Sequence, residues 1–82
     1  MNLEIFSPEK ILYRGEATSV TLPGVLGAFT VLDHHAPIIS PLVKGEISYR
    51  VKEDISHISI EKGFVELNNN KVTVCVEMSS EK

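Results

Sequence analysis

The chain of 82 residues holds one cysteine, Cys75, and no tryptophan. A single thiol excludes an internal disulfide and any zinc site built from several thiolates. It also suits a reducing compartment. No run approaches the ~18 consecutive apolar residues that a membrane-spanning helix needs. No charged-then-apolar leader opens the sequence, which points to an intracellular protein. Nor does charge of one sign dominate: eight Lys and Arg stand against eleven Asp and Glu, a formal net charge of -3. Lys10, Arg14, Lys44, Arg50, Lys52, Lys62, Lys71 and Lys82 are scattered among acids. That pattern argues against nucleic acid, because gripping a phosphate backbone takes clustered cations. Internal repeats, low-complexity tracts and convincing helical periodicity are missing too. The length allows one domain, burying about 60–65% of the surface its unfolded chain would expose. Its core must be lean.

What the sequence does have is a period of two. Ile47, Tyr49 and Val51 alternate with Ser48, Arg50 and Lys52; Val72, Val74 and Val76 alternate with Thr73, Cys75 and Glu77. Successive side chains of a strand point to opposite faces, so each such run has one face to bury. Ser7-Pro8-Glu9, Gly15-Glu16, Pro23-Gly24, Lys44-Gly45, Glu53-Asp54, Lys62-Gly63 and Asn68-Asn69-Asn70 punctuate the runs with turn-forming residues. The pattern predicts strands over 2–6, 10–15, 17–22, 27–32, 44–52, 55–61, 63–68 and 71–77, hence an all-β sandwich or small barrel. Phe6 and Leu12 fall on the face opposite their strands' other apolar residues, and Leu26 and Ile39 have apolar neighbours on both sides. Either both faces of some strands are covered within the fold, or some outer surface is an apolar contact patch.

Chemistry finds little to work with. His34 and His35 are adjacent, so an extended backbone sends them to opposite sides, and only Asp33 stands near as a further ligand. A closed zinc site wants four. The better reading has one histidine bracing a turn and the other facing solvent. No serine sits in a Gly-x-Ser-x-Gly elbow. Cys75 lies within a strand and off its valine stripe, where nothing would poise a thiolate. No glycine-rich loop leads into a helix to cradle phosphate. The sequence therefore predicts no catalytic, cofactor or metal site.

One stretch carries more specific information. Gly27-x-Phe29-x-Val31-Leu32-x-x-His35-Ala36-Pro37, then Ile38-Ile39-Ser40-x-Leu42 and Gly45, resembles the N-terminal domain of the epsilon subunit of F-type ATP synthases. Leu3-Glu4-Ile5-Phe6-Ser7-Pro8-Glu9 is similar to that family's opening strand and turn, and Val20-Thr21-Leu22-Pro23-Gly24 to the strand that follows. Gly63-Phe64-Val65-Glu66-Leu67 and Asn70-Lys71-Val72-Thr73-Val74 resemble its closing hairpin. These blocks span nearly the whole chain in the right order.

The resemblance implies a flattened β-sandwich of about ten short strands, over residues 1–78, with a tail at 79–82 and no C-terminal helical domain. It implies a non-catalytic central-stalk subunit of the proton-transporting ATP synthase. Such a subunit couples c-ring rotation to ATP synthesis by binding the gamma subunit and the polar loops of the c-ring. The alpha/beta catalytic head is met only indirectly, and the membrane only through the complex. The location would be peripheral, on the cytoplasmic face of the bacterial inner membrane. By the same resemblance, Ser7, Ala28, Asp33, His34 and His35 face the c-ring, and Ile38, Ile39, Ser40 and Leu42 face gamma. Relatives often carry an acid where this chain has Ala28 and Pro-Gly where it has Asp33-His34. The polar pairing at that end is then expected to use Asp33 or His34 instead, or to be weaker. The competing reading is an unrelated small β-sandwich that binds protein or carbohydrate, which would want an exposed aromatic platform.

Overall fold

A computed structural model describes residues 1–79. Eight strands follow one another: β1 (Asn2–Phe6), β2 (Ile11–Glu16), β3 (Ser19–Gly24), β4 (Gly27–Leu32), β5 (Ile38–Leu42), β6 (Gly45–Val51), β7 (Asp54–Asn68) and β8 (Lys71–Met78). All pairs are antiparallel except β1 with β8. The strands form one continuous sheet in the order β2-β1-β8-β7-β5-β3-β4, with β6 pairing β3 and β7.

β7 explains how one sheet makes two layers. Its first half pairs β6 and its second half lies between β8 and β5. A bulge interrupts its register with β8 between Ile60 and Lys62, and a bulge bends the strand that carries it. The sheet thus folds over on itself: β2, β1, β8, β5 and the second half of β7 make one layer, and β4, β3, β6 and the first half of β7 make the other. Leu3, Ile5, Val65, Leu67, Val72 and Val74 from the first layer meet Val20, Leu22, Val31, Ile47 and Ile60 from the second, all essentially without solvent exposure. Each comes from the inward set of its alternating strand, which is the sandwich pattern.

The predicted β-sandwich is therefore observed, with eight strands where the resemblance implied about ten. Several local expectations change. The segments 55–61 and 63–68 are one strand, because Lys62-Gly63 is not a turn. Gly63 serves instead to let β8 approach: a Cβ there would lie 2.3 Å from the Cys75 carbonyl oxygen. Residues 38–42, which fall outside the predicted strands, are strand β5. Pro23-Gly24 lies inside β3, and the turn falls on Val25-Leu26, closed by the Gly24–Gly27 pair. Gly27 has φ 124, a conformation that favours glycine. At the β7–β8 hairpin, Asn69 and Asn70 both take positive φ, 53 and 59, as a two-residue hairpin turn of this hand requires. Of the tail expected over 79–82, residues 80–82 lie outside the described residues.

Gly63→Ala should destabilise the fold by roughly 1–3 kcal/mol, because the new methyl meets backbone and not a yielding side chain. Urea unfolding checks this: a midpoint equal to that of the unsubstituted protein would contradict it. Leu22→Ala, in the opposite layer, should cost about 2–5 kcal/mol by emptying fully buried volume.

Candidate docking surfaces

Register separates the predicted site residues into two groups. β1 starts beside the Asn68–Lys71 turn, where the Asn2 N–H donates to the Asn70 carbonyl at 3.1 Å. The same turn receives the corner after β4: the His34 N–H donates to Asn70 Oδ1 at 2.8 Å. Asp33, His34 and His35 therefore lie at the end of the sandwich where β1 begins. Ser7 follows β1's last residue, five residues further on, or roughly 16 Å along an extended strand. The expectation that Ser7 shares an end with His35 is thus corrected. Ala28 is also displaced from His35, since it lies near the Gly24–Gly27 turn, at the far end of β4 from Leu32.

The corner itself is internally occupied. The Met1 ammonium donates to Asp33 Oδ1 and to the Ala17 carbonyl, the latter at 3.1 Å, with Glu16 Oε1 at 3.6 Å. The bond to Asp33 raises the ammonium's pKa and, reciprocally, holds the Asp33 carboxyl below its ordinary value. His34 sits at φ 65, and His35 Nδ1 lies 2.8 Å from the Ala36 carbonyl. Both imidazoles are exposed. Among the described residues no three His, Cys, Asp or Glu side chains gather as metal ligands.

The expected gamma-facing set divides by alternation. Leu42 is in the core, 3% exposed, and Ile38 packs against it, whereas Ile39 is 75% exposed. Leu42 thus offers no surface: even positions of β5 point inward and odd positions outward. Ser40, half-buried, spends its hydroxyl on the Pro41 carbonyl at 3.1 Å. A neighbouring set escaped the sequence reading because it comes from five strands. Pro41 pairs with Phe64, Phe64 with Cys75, Cys75 with Phe6 and Phe6 with Ile11. The result is an apolar row across the first layer, with Phe64 and Ile11 about half exposed and Ile39 two residues along β5 from Pro41. Only the outward position of Phe6, noted from its alternation, hinted at it.

Beside this row lies a cleft of about 540 Å³, lined chiefly by Phe6, Pro8, Gly63, Phe64, Cys75 and Val76. Its volume is that of a ligand pocket, but such pockets also bring converging polar groups. Here the lining is mostly apolar, with Ser7, Lys62 and Glu77 among the residues around it, and the cleft is open to solvent. Burial pushes the Cys75 thiol up, away from a reactive thiolate. Phe64 is the exposed large aromatic among the described residues, too little for a sugar-stacking platform.

Among the described residues, then, the molecule is a small β-sandwich with an apolar row across one outer face. The family is given by comparison. Residues 1–81 match the model of the ATP synthase Delta/Epsilon chain beta-sandwich domain, and the chain belongs to that family. The chain is 40% identical over 77 residues to the ATP synthase epsilon chain of Leptospira borgpetersenii and 40% identical to that of Geotalea daltonii. It is covered to 94% in both, but it spans only 61% and 56% of those proteins. Two solved assemblies share the fold. One is the central stalk and c-ring of the Tetrahymena thermophila mitochondrial ATP synthase (TM-score 0.80, 15% identity, 93% of this chain and 62% of that one). The other is the OSCP/F1/c-ring of the Euglena gracilis mitochondrial ATP synthase (TM-score 0.85, 18% identity, 90% and 48%).

Asp33→Asn should lower stability at neutral pH, and the pH profile should show why. A carboxyl depressed on folding adds stability above its ordinary pKa of 3.8, which is lost as pH falls through the lower folded value. An amine raised on folding adds stability below 8.0, which is lost as pH rises through the higher folded value. Urea midpoints for the two proteins should differ most between these limits and converge in stronger acid and alkali. A gap constant across pH would contradict the clamp.

Proposed function

We propose that this protein is a non-catalytic rotor subunit of an F-type ATP synthase, seated in the central stalk between gamma and the c-ring. The observation that carries the reading is the family match over 1–81, joined to an apolar row with no chemistry beside it. Proton-driven rotation of the ring would pass through this domain to gamma, and so to ATP synthesis in the alpha/beta head, which it meets only indirectly. It would be peripheral, at the cytoplasmic face of the bacterial inner membrane, held by its complex and not by lipid.

The row Pro41–Phe64–Cys75–Phe6–Ile11, extended by Ile39, is the surface assigned to gamma. Its apolar groups repay burial, and bordering Lys62, Glu66 and Glu4 can set orientation. The c-ring is assigned to the end bearing Ala28 and Ser7. There the Val25-Leu26 turn projects with Leu26 fully exposed, whereas Asp33 at the other end is already spent on the Met1 ammonium. With Ala28 in place of an acid, this contact relies on burying the turn and not on an ion pair. Ile38 and Ser40 support Ile39 from behind.

Mild detergent extraction of membranes carrying a tagged copy should bring down gamma, the c-ring and the catalytic head; retrieval of the chain alone would overturn the proposal. Phe64→Glu should leave the circular dichroism unchanged and weaken gamma binding about 10- to 100-fold, the worth of one buried aromatic side chain. Ala28→Cys should crosslink to a cysteine placed in the c-ring loop, and His35→Cys should not. The reverse pattern would reassign the ends.

A further inference from the structure

Chain ends fray unless something ties them down. Met1 is held by both its side chain and its backbone. The side chain lies in the core, 4% exposed. The Met1 carbonyl accepts the Ala17 N–H at 3.0 Å, and the Met1 ammonium donates to the Ala17 carbonyl at 3.1 Å. One residue on, the Asn2 N–H donates to the Asn70 carbonyl at 3.1 Å. Packing and ladder bonds thus set the position of the nitrogen before its charge is counted.

Three oxygen acceptors face that nitrogen: the Ala17 carbonyl, Asp33 Oδ1, and Glu16 Oε1 at 3.6 Å. Two of them are anionic. A free ammonium brings three N–H groups and a positive charge, which suits the set. An acylated nitrogen brings one N–H and no charge. It would keep the ladder bond to Ala17 and lose Asp33. That loss matters because Asp33 opens the corner between β4 and β5, where His34 takes φ 65. A non-glycine residue stays in the left-handed region only where its surroundings hold it. Two holds reach this corner from elsewhere in the fold. Asn70 Oδ1, accepting the His34 N–H at 2.8 Å, is one, and the Met1 ammonium on Asp33 is the other. The second can be removed by chemistry at a single atom.

We propose that the Met1 nitrogen is a modification site whose acylation, by a formyl or an acetyl group, releases the Asp33–His35 corner. The free amine closes that corner. The reading is independent of the rotor assignment, since it needs no partner. Bacterial translation starts on formylmethionine, so hydrolysis of the formyl amide must come before the corner can close. Water adds to the formyl carbon, the C–N bond breaks, formate leaves, and the amine takes up a proton. Once closed, the site guards itself. Pairing with Asp33 raises the ammonium's pKa, and a protonated amine has no lone pair with which to attack an acyl donor. Clipping Met1 away is no equivalent route, because it would empty the core volume that the side chain fills.

Bacterial expression with the deformylase inhibited yields the formylated chain, and the same cells without inhibitor yield the free one. At neutral pH the formylated chain should unfold at a lower urea concentration and exchange its His34 amide hydrogen faster. In Asp33→Asn, formylation should shift the urea midpoint much less, because the charged acceptor it deprives is already gone. A further arm needs no formylated chain to fold. Given an amine-reactive ester at neutral pH, Met1 of the folded free chain should be acylated several-fold more slowly than Met1 of folded Asp33→Asn. Equal midpoints, a shift undiminished in Asp33→Asn, or equal acylation rates would each overturn the proposal. So would protein drawn from its own cells with a stable acyl group on Met1, or with further residues ahead of it.

Discussion

The contact on which the molecule depends is the close approach of β8 to β7 at Gly63. β7 is the one strand shared by both layers, and its bulge next to Gly63 is where the sheet turns from one to the other. A side chain at this position would push the Cys75 carbonyl away. That carbonyl belongs to the strand which carries β1, and through β1 also β2. The first layer is therefore joined to the second at a stretch of bare backbone, with the β3–β5 pair at Gly24 and Leu42 as a further link. The burial of Val65, Leu67, Val72, Val74 and Val76 follows from it, as does the alignment of Phe64, Cys75 and Phe6 on the opposite face.

The two faces of that layer do different work. The inner face is β-branched and aliphatic, the composition that packs a pleated surface closely. The outer face is oily only along one row; Glu4 pairs with Arg14 at 2.8 Å one step away. A row this narrow does not drive indiscriminate sticking, and its charged borders favour one orientation of a partner. The second layer's outer face carries the hydroxyls of Thr21, Thr30 and Ser48 beside the exposed Leu32 and Ile55.

Period two was enough to find β1 and β4 to the residue, and β3, β6 and β8 to within two, because each has one buried face and a turn at either end. It failed where that logic was broken. Lys62-Gly63 looks like a turn, but its glycine answers to a strand passing overhead, which no local pattern records. β5 was missed because Pro41 interrupts it and Ile38-Ile39 blurs the alternation; tertiary pairing with β7 makes it a strand regardless. Of the residues that the resemblance put toward gamma, Ile39 points outward and Leu42 inward, a difference the sequence did not show because facing direction depends on a register set by β7. The resemblance supplied residues but not their relative positions. Only the sheet order reveals that Ser7 and His35 occupy opposite ends, and that Asp33 is engaged by the first residue of the chain.

The one parallel pair, β1 with β8, has a consequence for biogenesis. It joins Leu3 to Val72, residues almost as distant in sequence as the chain permits. During translation β1 can pair with β2 at once, but its other flank stays open until β8 has left the ribosome. Contacts of such long sequence separation form slowly, and half-finished sheets with open flanks are where chaperones find work. The first layer is thus completed only once β8 is available, so the domain closes as a unit.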